Sequence, residues 1–221
     1  MTSSQRHIVV FGGTFDPIHH GHLRSAIELK ELLGADELRL MPSHRPPLRG
    51  APGASSEQRL AMVKAAVAGE PGFVVDDREL ARDAASYTVE SLRELRAELG
   101  EAVTLTMVVG SDAYARLQHW RQWSSLLDYA HLLVLERADH PLDAAPEVAM
   151  AMAARRVSHV AELASLPAGK FASARLRQLA ISATDIRERV ASGRSIRYLL
   201  PDVVAAQIAR WGLYQSKSTN A

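Results

Sequence analysis

The sequence predicts an α/β protein: a doubly wound parallel sheet followed by a small C-terminal helical part. Three observations carry that expectation. Short apolar runs, Ile8-Val9-Val10-Phe11 and Val103 to Val109 among them, read as buried strands. They alternate with stretches such as Leu23 to Leu33 and Val89 to Leu99, where apolar residues recur at helical spacing. Strand, helix and strand within the first 42 residues form a βαβ unit, which implies parallel pairing and a right-handed crossover.

Taken in order, Ile8 to Phe11 is the first strand and Leu23 to Leu33 the first helix, with Gly34 in the place of a C-terminal glycine. Glu37 to Pro42 is the second strand, stopped by its proline. Ser43-His44-Arg45-Pro46-Pro47-Leu48-Arg49 opens a stiff cationic loop that lasts to about Ser56, either a surface connection or a cover over a substrate. Glu57 to Ala68 is helical, capped by Ser55 or Ser56. Phe73 to Asp76 is a short strand, and Arg78 to Asp83 a charged connection. Ser86-Tyr87-Thr88 leads into the helix Val89 to Leu99, with Ser86 or Thr88 as its cap, and Gly100 ends it. The central strand Val103 to Val109 runs into Gly110-Ser111-Asp112, where Asp112 suits either a helix N-cap or a ribose hydroxyl. A short helix over Ser124 to Tyr129, a strand over His131 to Arg137, a helix over Ala144 to Arg155 and a last strand within Leu176 to Ile181 follow. The final helix runs from Asp202 to Trp211, with Pro201 in its first turn.

Two stretches carry chemistry. The first is Gly12-Gly13-Thr14-Phe15-Asp16-Pro17-Ile18-His19-His20-Gly21-His22, a strand-to-helix turn. Gly12 and Gly13 let backbone approach a ligand closely. His19 and His22, three apart at the mouth of a helix, can project the same way beside free N–H groups. That combination suits a polyphosphate. A zinc site would normally need further ligands, and the chain has no cysteine. The glycine fingerprints of dinucleotide-binding and P-loop proteins are both absent. The second stretch is Ile181-Ser182-Ala183-Thr184-Asp185-Ile186-Arg187. Ser182 is a good N-cap, and Ser182 and Thr184 add two hydroxyls at a helix start, with Arg187 one turn in as a cationic clamp for phosphate.

Composition narrows the class. The chain has 221 residues, which suits one α/β domain, and 47% are hydrophobic, enough for a substantial core. A net charge of +1 makes no case for nucleic acid or an anionic membrane as partner. Zero cysteines exclude a disulfide framework and thiol catalysis and fit a reducing cytoplasm. No stretch approaches the roughly 20 apolar residues that span a bilayer. A homo-oligomer stays open.

The first stretch resembles the (H/T)xGH signature of the nucleotidyltransferase superfamily, and the second resembles its partner motif I-S-x-T-x-I-R. Both in the right order are more specific than either alone. Ser86-Tyr87-Thr88, Gly110-x-Asp112, Trp120 and the C-terminal Gly212-Leu213-Tyr214 are similar to bacterial nicotinate-mononucleotide adenylyltransferases, so the resemblance covers nearly the whole chain. It departs from the family's x-P-P-H-[KR] pattern at Leu48, while Arg49 keeps the charge. The resemblance implies a Rossmann-like domain over 1–180, a helical part over 181–214 and a flexible tail over 215–221. It implies adenylyl transfer from ATP to nicotinate mononucleotide in NAD synthesis, with Mg²⁺ carried on the ATP and no protein metal ligand. By the same resemblance, Gly12, Gly13, Thr14, Phe15, His19, His22, Gly110, Asp112, Ser182, Thr184 and Arg187 serve ATP, with His19, His22 and Arg187 catalytic. Phe15, Arg49, Tyr87, Thr88 and Trp120 serve nicotinate mononucleotide. Nicotinamide mononucleotide or phosphopantetheine as acceptor, or a nucleotide sensor without turnover, are the alternatives.

Overall fold

The computed structural model describes residues 5–45, 51–83, 85–136, 142–177 and 179–216. β1 (His7–Gly13) leads into α1 (His20–Leu33), and β2 (Glu37–Pro42) into α2 (Ser56–Ala66). β3 (Phe73–Val75), α3 (Arg78–Ala81), α4 (Thr88–Leu99) and β4 (Thr104–Gly110) follow. Next come α5 (Ser111–Tyr114), α6 (Leu126–Tyr129), β5 (His131–Leu135), α7 (Pro146–Ala153) and β6 (Phe171–Ala174). α8 (Ala183–Ala191) and α9 (Asp202–Arg210) close the chain, and 3₁₀ turns lie at Leu117–His119, Trp123–Ser125 and Val160–Ser165.

The six strands form one sheet in the order β3-β2-β1-β4-β5-β6, every pair parallel. The doubly wound expectation holds. The order reverses between β1 and β4, and open α/β sheets take ligands in the crevice beyond the strand C-termini at that reversal. Because side chains alternate across a strand, each central strand feeds two cores. Val9, Val108 and Leu133 pack with Leu29, Met62, Ile186, Val204 and Ile208 on the α1, α2, α8 and α9 side. Ile8, Val10, Leu105, Met107, Leu132 and Val134 pack with Leu92, Leu95, Leu126 and Val148 on the α4, α6 and α7 side. The C-terminal helices therefore share the first of these cores.

Local chemistry sets the ends. Gly34 adopts φ 57° and its N–H, with that of Ala35, satisfies the last carbonyls of α1. Ser55 caps α2 in a reciprocal box with Gln58. Ser182 caps α8 by accepting from the Asp185 N–H.

Several expectations are corrected. The last strand is Phe171–Ala174, not within Leu176 to Ile181: Ala172-Ser173-Ala174 carries no branched signal, and pairing to Leu132–Leu135 alone makes it a strand. Arg78 to Asp83 is not plain connection but contains α3, steadied by Arg78 and Asp76 at 2.7 Å. Neither Ser86 nor Thr88 caps α4. Tyr87 holds the N-cap position, and the Ser86 hydroxyl instead accepts from the His44 and Arg45 N–H groups. Asp112 does not cap α5 either, since Gly110 occupies that position. The segment Ser124 to Tyr129 divides into a 3₁₀ turn and α6, and Pro201 is the N-cap of α9 rather than its first-turn residue. Of the predicted tail, 217–221 lies outside the described residues, and the Ser216 hydroxyl donates to Ala191 O.

Candidate active site

The reversal point is a cleft of about 620 Å³. Gly12, Gly13 and Thr14 from the end of β1, Tyr87 and Thr88 from the start of α4, Gly110 and Asp112 from the end of β4, and Trp120 all line it. Eight residues singled out in four separate segments thus meet in one cavity. A Cβ on Gly110 would lie 2.6 Å from Asp112 Oδ1, so the carboxylate rests over the bare backbone there.

A second group gathers just beyond Gly13. A Cβ on Gly13 would lie 3.0 Å from the buried Phe15 ring, and Phe15 itself has φ 48°. That ring meets the His22 imidazole edge-on at 5.1 Å. His19, extended at φ −150°, is the N-cap of α1, and its ring stacks on His22 at 3.7 Å and 26°. The expected common projection of the two imidazoles is present.

The second motif arrives at the same place. A Cβ on Gly21 would lie 3.3 Å from Ile181 O, so α1 and the lead-in to α8 touch across this glycine. Arg187 Nη1 donates to Asp16 O at 2.8 Å and its Nη2 to Thr184 Oγ1 at 3.2 Å. Two motifs 160 residues apart in sequence therefore converge on one turn. His19, His22, Ser182, Thr184 and Arg187 are a set of N–H, O–H and cationic donors that fits an oxyanion, not a carbon skeleton. Arg49 lies outside the described residues.

Four further residues shape the site, and the sequence reading assigned a role to none of them. Arg59 is almost completely buried; it donates to Thr14 O at 2.7 Å and His44 O at 3.1 Å, tying the glycine turn to the loop after β2. Burial pulls its guanidinium below the usual range, and the nearby Asp16 charge opposes that. The Asp16 carboxylate accepts from the Gly53 and Ala54 N–H groups and from the Tyr214 hydroxyl. Glu79 lines the cleft, buried, and accepts from the Ser91 hydroxyl at 2.9 Å. Asp16 stands in the first motif and Tyr214 in the family-like C-terminus, so both had a signal but no role, whereas Arg59 and Glu79 had none, because Thr14 and Ser91 lie 45 and 12 positions away from them. Trp123 lies against the α4-side core. Among the described residues no three His, Asp or Glu side chains gather as a metal cage, and no helix is long and apolar enough to cross a membrane.

The comparisons with known proteins agree with this geometry. A cytidylyltransferase-like family model matches residues 10–189. A Marinobacter nauticus protein named "Probable nicotinate-nucleotide adenylyltransferase" is 49% identical over 95% of this chain and 97% of its own. One of the same name from Chromohalobacter salexigens is 46% identical over 94% and 95%. The nicotinic acid mononucleotide adenylyltransferase of Plasmodium falciparum, solved complexed with NaAD, superposes with a TM-score of 0.71 over 95% of this chain and 98% of that one. At 16% identity that likeness speaks for the fold. Both motifs fall inside the matched span, and the sequence likeness runs nearly end to end: the chain belongs to the cytidylyltransferase-like family and, within it, to the nicotinate-nucleotide adenylyltransferases.

Proposed function

We propose that this protein transfers the adenylyl group of ATP to nicotinate mononucleotide, giving deamido-NAD and pyrophosphate, as a cytoplasmic enzyme of NAD synthesis. The observation that carries the reading is the convergence of the stacked His19 and His22 with Arg187 beside a cleft that holds Tyr87, Thr88 and Trp120.

The chemistry needs no protein nucleophile. A phosphate oxygen of nicotinate mononucleotide attacks the α-phosphorus of ATP in line; the bond from that phosphorus to the bridging oxygen breaks, and pyrophosphate leaves with the electron pair. Catalysis is then alignment and charge stabilisation. His19 and His22 hold ATP phosphates and donate to the transferring group as charge builds. Ser182, Thr184 and Arg187 grip the β- and γ-phosphates, the departing pyrophosphate. Gly12, Gly13, Thr14 and Phe15 line the nucleotide sites with close backbone, and Gly110 and Asp112 lie by the nucleotide. Tyr87, Thr88 and Trp120 recognise nicotinate, with the N–H groups at the start of α4 facing its carboxylate and Arg49 adding charge. ATP arrives as its Mg²⁺ complex, the ion carried by phosphate oxygens and water.

One observation favours a second acceptor. Glu79, 4.0 Å from Arg82, puts a carboxylate into the wall of the same cleft, where an amide N–H₂ finds an acceptor. Arg121, which lies 4.8 Å over the Tyr87 ring, argues the other way. Pyrophosphate release with MgATP and nicotinate mononucleotide, nicotinamide mononucleotide or phosphopantetheine decides. Turnover with the first alone supports the proposal. Preference for the second transfers the pocket to the amide. Silence with all three, with ATP still bound, makes the protein a sensor.

A further inference from the structure

We propose that Tyr214, in the turn after the last helix, is a positioning residue for Arg187 and acts through Asp16. This deepens the phosphate-gripping role proposed for Arg187 and rests on it.

The Asp16 carboxylate is buried in the turn between β1 and α1. Gly53 N–H reaches Oδ2 at 2.8 Å, Ala54 N–H reaches Oδ1 at 3.1 Å, and the Tyr214 hydroxyl reaches Oδ1 at 2.8 Å. Three donors on two oxygens leave Asp16 one orientation. Asp16 in turn faces Arg187 twice: its carbonyl accepts from Nη1 at 2.8 Å, and Oδ2 lies 3.9 Å from the same nitrogen. With Nη2 on Thr184, the plane of the guanidinium is fixed at both ends. An arginine that must meet a phosphate with a rigid fork depends on that plane.

Two further observations single out Tyr214 within this cluster. Its backbone has φ 63°, a conformation costly for an aromatic residue, which persists only where the surroundings impose it. Its ring also closes on Gly53: a Cβ there would lie 2.9 Å from the ring and 3.7 Å from Arg187 Cδ. Gly53 therefore fits between the tyrosine and the arginine because it has no side chain. Burial, and after it the Asp16 charge, pushes the Tyr214 hydroxyl above its usual range, so it stays a donor wherever the protein is folded.

Tyr214→Phe removes the hydroxyl and keeps the ring. Gly53→Ala keeps the hydroxyl and pushes on the ring, at a position whose φ is not left-handed, so the two variants reach the same link from opposite sides. Each is expected to lower kcat about tenfold, the scale of one hydrogen bond to a charged group, and to weaken inhibition by pyrophosphate by a similar factor. The KM for nicotinate mononucleotide stays within twofold. A general loss of packing would not respect that split. In an Arg187→Ala background, itself strongly impaired, Tyr214→Phe costs nothing further, because the group it positions is gone. Full activity of both single variants, or an additive loss in the Arg187→Ala background, overturns the positioning role and leaves the role of Arg187 intact. Full activity of Arg187→Ala alone overturns the phosphate reading beneath it. Circular dichroism of every variant confirms that the comparison is among folded proteins.

Discussion

The sheet carries histidines at both of its ends, and the two pairs live by different rules. At the N-terminal edge, His7 opens β1 and His131 opens β5, both buried. His131 Nδ1 accepts from the Lys170 N–H at 2.9 Å, and its Nε2 donates to Leu166 O at 2.8 Å. Only the neutral imidazole can do both. Burial, with the carbonyl bond opposing it, lowers its pKa to about 4. His7 is pulled down by burial too, and Nε2 bonds Thr106 Oγ1 at 2.8 Å. At the C-terminal edge, His19 and His22 stack on each other at the mouth of α1, next to Arg187 and the glycine turn. The lower pair is fixed on strand and backbone partners; the upper pair, with His19 buried as well, is stacked ring on ring at the start of a helix beside a guanidinium. A histidine's residue type says neither; its strand end does, because parallel sheets put ligands at one edge only.

The largest effect that separates the edges is on stability. An imidazole whose pKa is 6.5 unfolded and about 4 folded leaves the native state short of a proton between those values. The stability it protects is complete above pH 6.5 and falls as pH drops towards 4, by ~3 kcal/mol in total. Urea unfolding at pH 7, 5.5 and 4.5 should show that decline, and His131→Gln should flatten it while lowering stability at pH 7. An unchanged acid slope in that variant breaks the account of the lower edge.

Next is activity. His22→Ala is expected to lower turnover by at least ~100-fold, the scale of one transition-state donor, with the urea midpoint at pH 7 little moved. His131→Gln should do the reverse, losing stability and keeping kcat in the folded fraction. Near-normal turnover of His22→Ala would dissolve the contrast, since the upper pair would then be as structural as the lower.

How much of this was legible depends on how far each residue's partners lie along the chain. β1, the glycine turn, α1 and Gly34 could be read because every signal sits within 28 residues: an apolar run, two glycines, helical spacing and a left-handed cap. The α8 cap at Ser182 was equally local. β6 was misplaced because Phe171–Ala174 becomes a strand only by pairing with β5 some 39 positions earlier. The Ser86 hydroxyl went to the chain 42 positions back rather than to its own helix, since the loop after β2 had unpaired N–H groups that α4 did not need it to cap. Arg59 and His131 are invisible for the same reason: burial gives each its role, and sequence shows no burial; Tyr214 could be read as part of a motif, but its partner Asp16 lies 198 positions away.

The smallest effect tests a division within the upper edge, between the turn that gathers donors for phosphate and the cleft that holds a ring. Thr88 opens α4, and Trp120 lies half-buried against the α4-side core, both in the cleft wall. Both line the cleft, whose wall does not include the stacked histidines, so the phosphate grip on ATP should be little disturbed. Thr88→Ala deletes one hydroxyl and should raise the KM for nicotinate mononucleotide about fivefold, the worth of one neutral hydrogen bond. Trp120→Ala removes a stacking face and should raise it somewhat more, at roughly 1 kcal/mol beyond the area lost. The KM for ATP should stay within twofold in both. A larger rise for ATP than for the mononucleotide would mean that the cleft holds the adenine end, and that the donors at α1 and α8 face the acceptor's phosphate instead.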